Sequence, residues 1–272
     1  MVWLFQKREE PFEIAFLNFF HILYFAIAIG VAIGLAYYLK AHPEKKTTTL
    51  RFLAYALVAL YVSDFFVQPF VSMQSLSSPD FDYGNFEMNI DKLPFHICTV
   101  LCPIVAFTQF NKKFDKFKEP VAFLAIVAPL MYLVYPGNAI GEISPFCYKI
   151  IQTFVYHGVL FAWGLNTLAS GEFVPKFKNC YKSLILIGII AAWATLGNLA
   201  YNTSYAGGDG NHHYDWFFLT GSSFSMPPYL MPFLVIAIFF SVVLTVYGLY
   251  YAYIHLAAKH AAKKAINKTA TV

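Results

Sequence analysis

Seven polar residues with chemical potential lie within long apolar stretches of the sequence. They are His21, Asp64, His96, Cys98, His157, Asn198 and Asn202. A thiol and an imidazole can form a nucleophile and its base, a carboxylate can orient the imidazole, and amides can donate hydrogen bonds to an oxyanion. In a bilayer, a central Asp costs roughly 2.5–3.5 kcal/mol on insertion scales, so each such group requires a partner or has a function.

The composition indicates that lipid surrounds most of the chain. Apolar residues make up 58% of the sequence and charged residues only 12%, and the mean hydropathy is +0.55. Too few polar side chains exist to cover a water-soluble globule. The net charge of +4 is modest, and the basic residues separate the apolar runs, which indicates membrane orientation rather than nucleic-acid binding.

Neither a metal site nor a disulfide framework is predicted. The four cysteines contain no C-x-x-C pair, so neither a zinc site nor a disulfide scaffold is implied. His212 and His213 are adjacent in a loop, and two such histidines rarely bind a metal alone. We therefore expect no metal and no cofactor.

Seven apolar runs are long enough to cross a hydrocarbon core of ~30 Å. They fall near residues 14–39, 52–73, 93–110, 120–136, 149–169, 183–203 and 229–257. The sequence therefore predicts an all-α fold, a polytopic membrane helix bundle of seven transmembrane helices in a single domain over residues 1–272. The fourth run is the weakest, because Pro120, Pro129 and Pro136 interrupt a short stretch, and we expect it to be broken or tilted.

The lysines and arginines predict the orientation, because cytoplasmic loops are enriched in them. Of the 19, all but Lys7, Arg8, Lys92 and Lys149 lie between spans one and two, three and four, or five and six, or after span seven. This alternation predicts an amino terminus outside the cytoplasm and a carboxyl terminus inside it. Counting ~1.5 Å per residue from the outer helix ends, the seven polar residues all lie in the outer half of the bundle. Asn166 is deeper and breaks the pattern, but an outward-opening polar cavity is the simplest interpretation.

Each polar residue also has a purely structural explanation. Asp64 can be hydrogen-bonded inside the bundle, and His21 can be a packing or interfacial histidine. Cys98 and Cys102 lie one turn apart on one helix face, and small cysteines in membrane helices are usually packing residues.

Four stretches resemble the bacterial YwaF-type integral membrane family. The run Leu93–Cys98 resembles its L-P-x-H-x-C signature. The other stretches follow in the same order: Leu133–Asn138, Phe154–Gly158, and Asn198–Asn202 before a loop that ends in Pro227 and Pro228. The YwaF-type family is similar in turn to the transmembrane protein 164 family, eukaryotic acyltransferases that move fatty acyl groups onto lysoglycerophospholipids with a cysteine and a histidine.

The resemblance implies roles for individual residues. It places the histidine at His157. The eukaryotic cysteine directly precedes the span-three histidine, where this chain has Phe95, and Cys98 stands one turn further on the same helix face. If the family chemistry is kept, the expected catalytic residues are Cys98 as nucleophile, His157 as base and His96. His96 or Asp64 would orient the imidazole, and Asn198 or Asn202 would donate to the oxyanion. From the positions of the polar groups, the expected substrate-binding residues are His21, Asp64, Asn138, Asn198 and Asn202.

These observations predict a lipid acyltransferase that moves a fatty acyl group between glycerophospholipids through a cysteine thioester. Its partners would be membrane lipids, namely phospholipid and lysophospholipid, with no nucleic acid, and the family resemblance favours a bacterial plasma membrane. The alternative is a transporter, flippase or receptor whose outward cavity binds a solute or lipid headgroup without covalent chemistry. A third interpretation is a scaffold in which buried polar groups only join helices.

Overall fold

The computed structural model describes residues 14–72, 93–137, 145–146, 148–201, 215–219, 227 and 229–269. In these ranges the chain forms seven α-helices, preceded at several points by short 3-10 turns. They are α1 (Phe19–Ala41), α2 (Lys46–Ser72), α3 (Ile97–Phe110), α4 (Lys118–Val134), α5 (Tyr148–Ala169), α6 (Cys180–Tyr201) and α7 (Met231–Thr269). The predicted all-α fold is confirmed.

Five of the helices in the described ranges are long and apolar enough to cross a membrane, namely α1, α2, α4, α6 and α7. Helix α3 is apolar but has only 14 residues, which gives a rise of about 21 Å. Helix α5 has 22 residues but carries buried polar side chains, among them Gln152, His157 and Asn166. The total of seven spans and the predicted orientation therefore remain predictions.

Contacts to α5 show the directions of α2 and α3 relative to it. Gln152 of α5 donates to the Leu60 carbonyl in the middle of α2 at 3.1 Å, and Tyr148 at the start of α5 contacts Ser63 further along α2, so these two helices are antiparallel. Trp163 near the end of α5 donates to Gln109 near the end of α3, at 3.1 Å, so these two are parallel. Asn166 donates to the Ala32 carbonyl of α1 at 3.1 Å. Helix α5 thus packs against α1, α2 and α3 and touches helices of both directions.

Helix α4 is the most enclosed of the five long apolar helices. In the most apolar 18-residue stretch of the α4 segment 67% of the residues are buried, against 11% in the corresponding stretch of α1. Pro129 lies inside this continuous helix, Pro120 occupies its first turn, and Pro136 follows its end. The expected break in the fourth run is therefore absent, because two of the three prolines lie at helix ends, where proline is tolerated.

Helices α4 and α5 approach each other closely at Gly164. A Cβ atom at this position would lie 2.8 Å from the Ala122 carbonyl oxygen and 2.9 Å from the Ala125 carbonyl carbon. Both neighbours are backbone atoms, which cannot rotate away. Small residues allow such close approach of helices in membranes, and this contact brings the α4 side chains against α5.

A polar network joins three connections between helices at the end of the bundle where α5 ends. Glu172 pairs with Lys46 at 3.2 Å and with Lys118 at 3.0 Å, and Lys118 also pairs with Asp115 at 3.0 Å. Burial raises the pKa of Glu172, but hydrogen bonds and the charges of Lys118 and Lys46 outweigh burial and hold that pKa below its usual value. The start of α2, the start of α4 and the α5–α6 connection are thereby held together.

Candidate functional site

The predicted site residues that the structure describes fall into two groups at one end of the bundle, with His21 beside α4. We call the first group the His157 cluster; it consists of Asp64, Cys98, Tyr132, Thr153, Tyr156 and His157. The second is the His96 cluster, which consists of His96, Asn198, Trp216 and Phe217. His96 directly precedes α3 and Cys98 lies in its first turn, so the start of α3 joins the two clusters.

The ring of His157 is fixed by one hydrogen bond and two aromatic contacts. Its Nδ1 lies 2.7 Å from the carbonyl oxygen of Thr153. A carbonyl only accepts, so Nδ1 carries the hydrogen, and Nε2 is the basic atom of the neutral ring. Tyr132 stacks on the imidazole with centroids 3.7 Å apart and planes 9° apart, and Tyr156 meets it edge-on at 5.3 Å.

Two tyrosine hydroxyls connect this histidine to other parts of the cluster. The Tyr132 hydroxyl oxygen accepts a hydrogen bond from the Thr153 hydroxyl at 3.3 Å. The Tyr156 hydroxyl donates to the carbonyl oxygen of Cys98 at 2.8 Å. Thr153 therefore positions both rings of the stack, and Tyr156 fixes the first turn of α3 against α5.

Asp64 and Cys98 complete the His157 cluster. Both side chains are buried, and Cys98 is a free thiol. Tyr156 connects α5 to Cys98 through its hydrogen bond to the Cys98 carbonyl. Asp64 lies on α2, one turn beyond Leu60, whose carbonyl accepts from Gln152 of α5. Three residues predicted from the sequence, Asp64, Cys98 and His157, thus lie on α2, α3 and α5, which pack against one another.

In the His96 cluster, two predicted site residues bind backbone. The Nδ1 of His96, which precedes the first residue of α3, accepts from the Phe217 amide at 3.3 Å. The Asn198 side chain donates to the Trp216 carbonyl at 3.0 Å and accepts from the Trp216 amide at 2.9 Å. Phe217 and Phe218 have φ values of 60° and 58°, a conformation that costs a non-glycine residue of order 1–3 kcal/mol. His96 and Asn198 hold this strained turn in place.

The Phe95 ring packs mainly against aromatic side chains beside the same turn. Its ring lies 5.3 Å from that of Trp193 and 4.8 Å from that of Trp216. A Cβ atom on Gly197 would collide with the Phe95 ring. At the position where the eukaryotic pattern has a cysteine, this chain therefore has a packing residue, and Gly197 provides the space for it.

His21, in the first turn of α1, contacts the end of α4. Its Nε2 donates to the Leu133 carbonyl oxygen at 2.9 Å, and its Nδ1 accepts from the Leu17 amide at 3.0 Å. Both ring nitrogens are thus used by backbone groups. Asn138 and Asn202 lie outside the described residues, and the proposed contacts of all three with substrate remain predictions.

Sequence reasoning did not identify Tyr132, Thr153 and Tyr156. Tyr156 directly precedes His157, and Tyr132 directly precedes the Leu133–Asn138 stretch, so their positions carried some signal. The chain has 19 tyrosines, however, and aromatic residues are common in membrane helices. Only the packing of α4 on α5 distinguishes these two from the others.

The region that forms both clusters matches a known family. Residues 16–253 match the model of the TMEM164 family, which covers all seven helices except the end of α7. The chain belongs to the TMEM164 family. No curated protein and no solved structure matches it. Together with the five long apolar helices, TMEM164 membership establishes an integral membrane protein and confirms the resemblance to the transmembrane protein 164 family.

Proposed function

We propose that this TMEM164-family protein is a lipid acyltransferase that moves a fatty acyl group between glycerophospholipids through a thioester on Cys98. The observation that carries the proposal is the fixed ring of His157. Its Nδ1–H is bound to Thr153 at 2.7 Å, which makes Nε2 the basic atom, in the cluster that also contains Cys98 and Asp64. A thiol activated by an imidazole is an established arrangement for acyl transfer.

In the first step, Nε2 of His157 takes the thiol proton of Cys98, and the sulfur attacks the ester carbonyl carbon of a phospholipid. A C–S bond forms and the C–O bond to the glycerol breaks. The leaving glycerol oxygen takes the proton back from His157, which releases a lysophospholipid and leaves the acyl thioester on Cys98.

In the second step, the hydroxyl of an acceptor lysophospholipid gives its proton to His157 and attacks the thioester. The C–S bond breaks, the new ester forms, and the sulfur recovers the proton. Asp64 would stabilise the imidazolium through the field that it exerts across the cluster. Tyr156 would act as a positioning residue, because its hydroxyl holds the Cys98 backbone at 2.8 Å.

The membrane arrangement that we propose places this site where the substrates lie. All seven helices would span the bilayer, with the amino terminus outside and the carboxyl terminus inside. The His157 cluster would then lie in the outer half, near the level of the lipid ester bonds, and a bacterial plasma membrane would be its location. Labelling of introduced cysteines in the connections from either side of the membrane tests this orientation.

The decisive experiment uses purified protein in vesicles that contain a phospholipid with a labelled acyl chain and an unlabelled lysophospholipid. We expect label to move to the lysophospholipid and to appear transiently as a hydroxylamine-sensitive adduct on Cys98. Cys98→Ala should abolish both signals, and His157→Gln should slow them. The matched control is Cys102→Ala, which removes a second buried thiol of α3 and should leave transfer intact.

The alternative is a binding or transport protein without covalent chemistry. The burial of Cys98, which is only 8% exposed, favours it, because a lipid ester must reach the sulfur. Under this alternative Cys98→Ala would retain full lipid or solute binding, and no acyl adduct would form in the wild-type protein. That result would reject the thioester mechanism.

A further inference from the structure

In the His157 cluster, the Tyr132 hydroxyl accepts a hydrogen bond but donates none to the described residues. The oxygen accepts from the Thr153 hydroxyl at 3.3 Å. The hydrogen of a phenol can at the same time be donated to a different acceptor. Among the residues that the structure describes, no protein group accepts it. The hydroxyl hydrogen therefore remains available to an acceptor outside the described residues, such as a bound substrate.

The position of Tyr132 is also fixed relative to the base. Its ring is stacked on His157 with centroids 3.7 Å apart, and Thr153 binds both members of the stack, His157 through its carbonyl and Tyr132 through its hydroxyl. The close contact of α4 and α5 at Gly164 keeps the two helices at this spacing. Tyr132 keeps some exposed surface, whereas His157 is buried.

We infer that Tyr132 is a further catalytic residue, whose hydroxyl donates a hydrogen bond to the acyl carbonyl oxygen as that oxygen becomes an anion. The inference rests on the proposed acyl transfer. An oxyanion donor must be held in advance, since its value comes from not having to reorganise during the reaction. The stack and the Thr153 hydrogen bond provide that preorganisation. Asn198, the oxyanion candidate described in the structure, already uses both ends of its amide on Trp216.

Stacking alone offers a competing explanation, in which Tyr132 only orients the imidazole. Tyr132→Phe separates the two, because it keeps the ring and removes the hydroxyl. If the hydroxyl is an oxyanion donor, kcat for acyl transfer should fall about 100-fold with little change in KM. Thr153→Val, which removes the hydroxyl that positions Tyr132 but keeps the carbonyl that binds His157, should lower kcat to a smaller extent. The matched control is Tyr24→Phe, which removes another partly buried tyrosine hydroxyl, bonded to the Pro145 carbonyl, and should not change kcat.

A second measurement compares two reagents that attack the same thiol. An activated lipid ester acylates Cys98 through an oxyanion, whereas a lipid haloacetamide alkylates it by direct displacement without one. Tyr132→Phe should slow acylation by about 100-fold and leave alkylation at the wild-type rate. Equal slowing of both reactions, or of neither, would overturn the inference.

The outcomes distinguish this inference from the function on which it rests. If wild-type protein and Tyr132→Phe transfer acyl groups equally well, the proposed function stands and the role of Tyr132 is rejected. If wild-type protein neither transfers acyl groups nor forms an adduct at Cys98, the proposed function fails and the role of Tyr132 fails with it. Retention of the wild-type Tm by Tyr132→Phe shows that the comparison is between folded proteins.

Discussion

The side-chain amide of Asn198 forms both of its hydrogen bonds with the backbone of Trp216. Its Nδ2 donates to the carbonyl at 3.0 Å and its Oδ1 accepts from the amide at 2.9 Å. The two residues lie 18 positions apart, so the end of α6 holds a segment that the sequence alone does not place. The next two residues, Phe217 and Phe218, have positive φ values, and this anchor keeps them in that conformation.

Asn198→Ala is expected to destabilise the protein strongly. It would leave the Trp216 amide and carbonyl without their partner, and a buried backbone group without a partner costs about 1–3 kcal/mol. The measurement is the Tm in mild detergent. Thr195→Ala is the control, because the Thr195 hydroxyl bonds only to the Ala191 carbonyl of its own helix. Equal Tm values for the two variants would contradict the anchoring role of Asn198.

Gly164→Ala should be among the most damaging substitutions of a small residue. The added methyl group would lie 2.8 Å from the Ala122 carbonyl oxygen, and overpacking of this kind costs about 1–3 kcal/mol. Gly188→Ala on α6 is the matched control, because a Cβ there meets nothing within 4 Å. We expect Gly188→Ala to leave the Tm unchanged or raise it slightly. If Gly164→Ala behaved like the control, the close α4–α5 contact would be wrong.

Phe95→Ala should unfold the turn region rather than affect chemistry alone. Removal of a buried phenylalanine costs about 3–5 kcal/mol, and we expect the lower end for Phe95, which is partly buried with its ring in contact with Trp193, Trp216 and Gly197. Phe107→Ala on α3 is the control, because its side chain is 60% exposed. Intrinsic tryptophan fluorescence should shift for Phe95→Ala and remain constant for Phe107→Ala.

The ion pairs of Glu172 should make the stability of the protein depend on pH. The pKa of Glu172 is lowered in the folded protein. Its contribution is therefore present above the unfolded-state value of about 4.3 and is lost as the pH falls through the lower folded value. Thermal unfolding followed from pH 6 to pH 3 should show a decline in Tm that is smaller in Glu172→Gln. Glu44→Gln, at an exposed position, should retain the wild-type decline, and an unchanged decline in Glu172→Gln would contradict the prediction.

The sequence predicted the helices well, because each one coincides with an apolar run. It could not predict which helices lie inside the bundle. In a membrane, a helix surrounded by lipid and one surrounded by protein are both apolar. The sequence of the enclosed α4 therefore resembles a weak transmembrane span and does not show that the helix is buried. The expected break in the fourth run was wrong for a similar reason. Only the bounds of the helix show that Pro120 and Pro136 lie at its ends.

The candidate site was predicted in part. The polar residues were singled out because they are costly in lipid, and Asp64, Cys98 and His157 lie on helices that pack together, but their roles stay predictions. The hydrogen bond between His96 and the Phe217 amide could not be predicted, because it joins residues 121 positions apart. The network around Glu172 was also missed. A single carboxylate in a connection rich in lysines was the signal available for it.

The shortness of α3 has a consequence for how this bundle can change over evolution. In the proposed membrane arrangement, its 14 residues leave roughly 9 Å of a ~30 Å core to the residues that precede it. At that level the Pro94 carbonyl, which a longer helix would bond internally, accepts from the Trp193 side chain of α6 at 2.7 Å. Substitutions there can remodel a recognition surface while the surrounding scaffold stays intact, which makes this level the natural place for relatives to diverge in specificity.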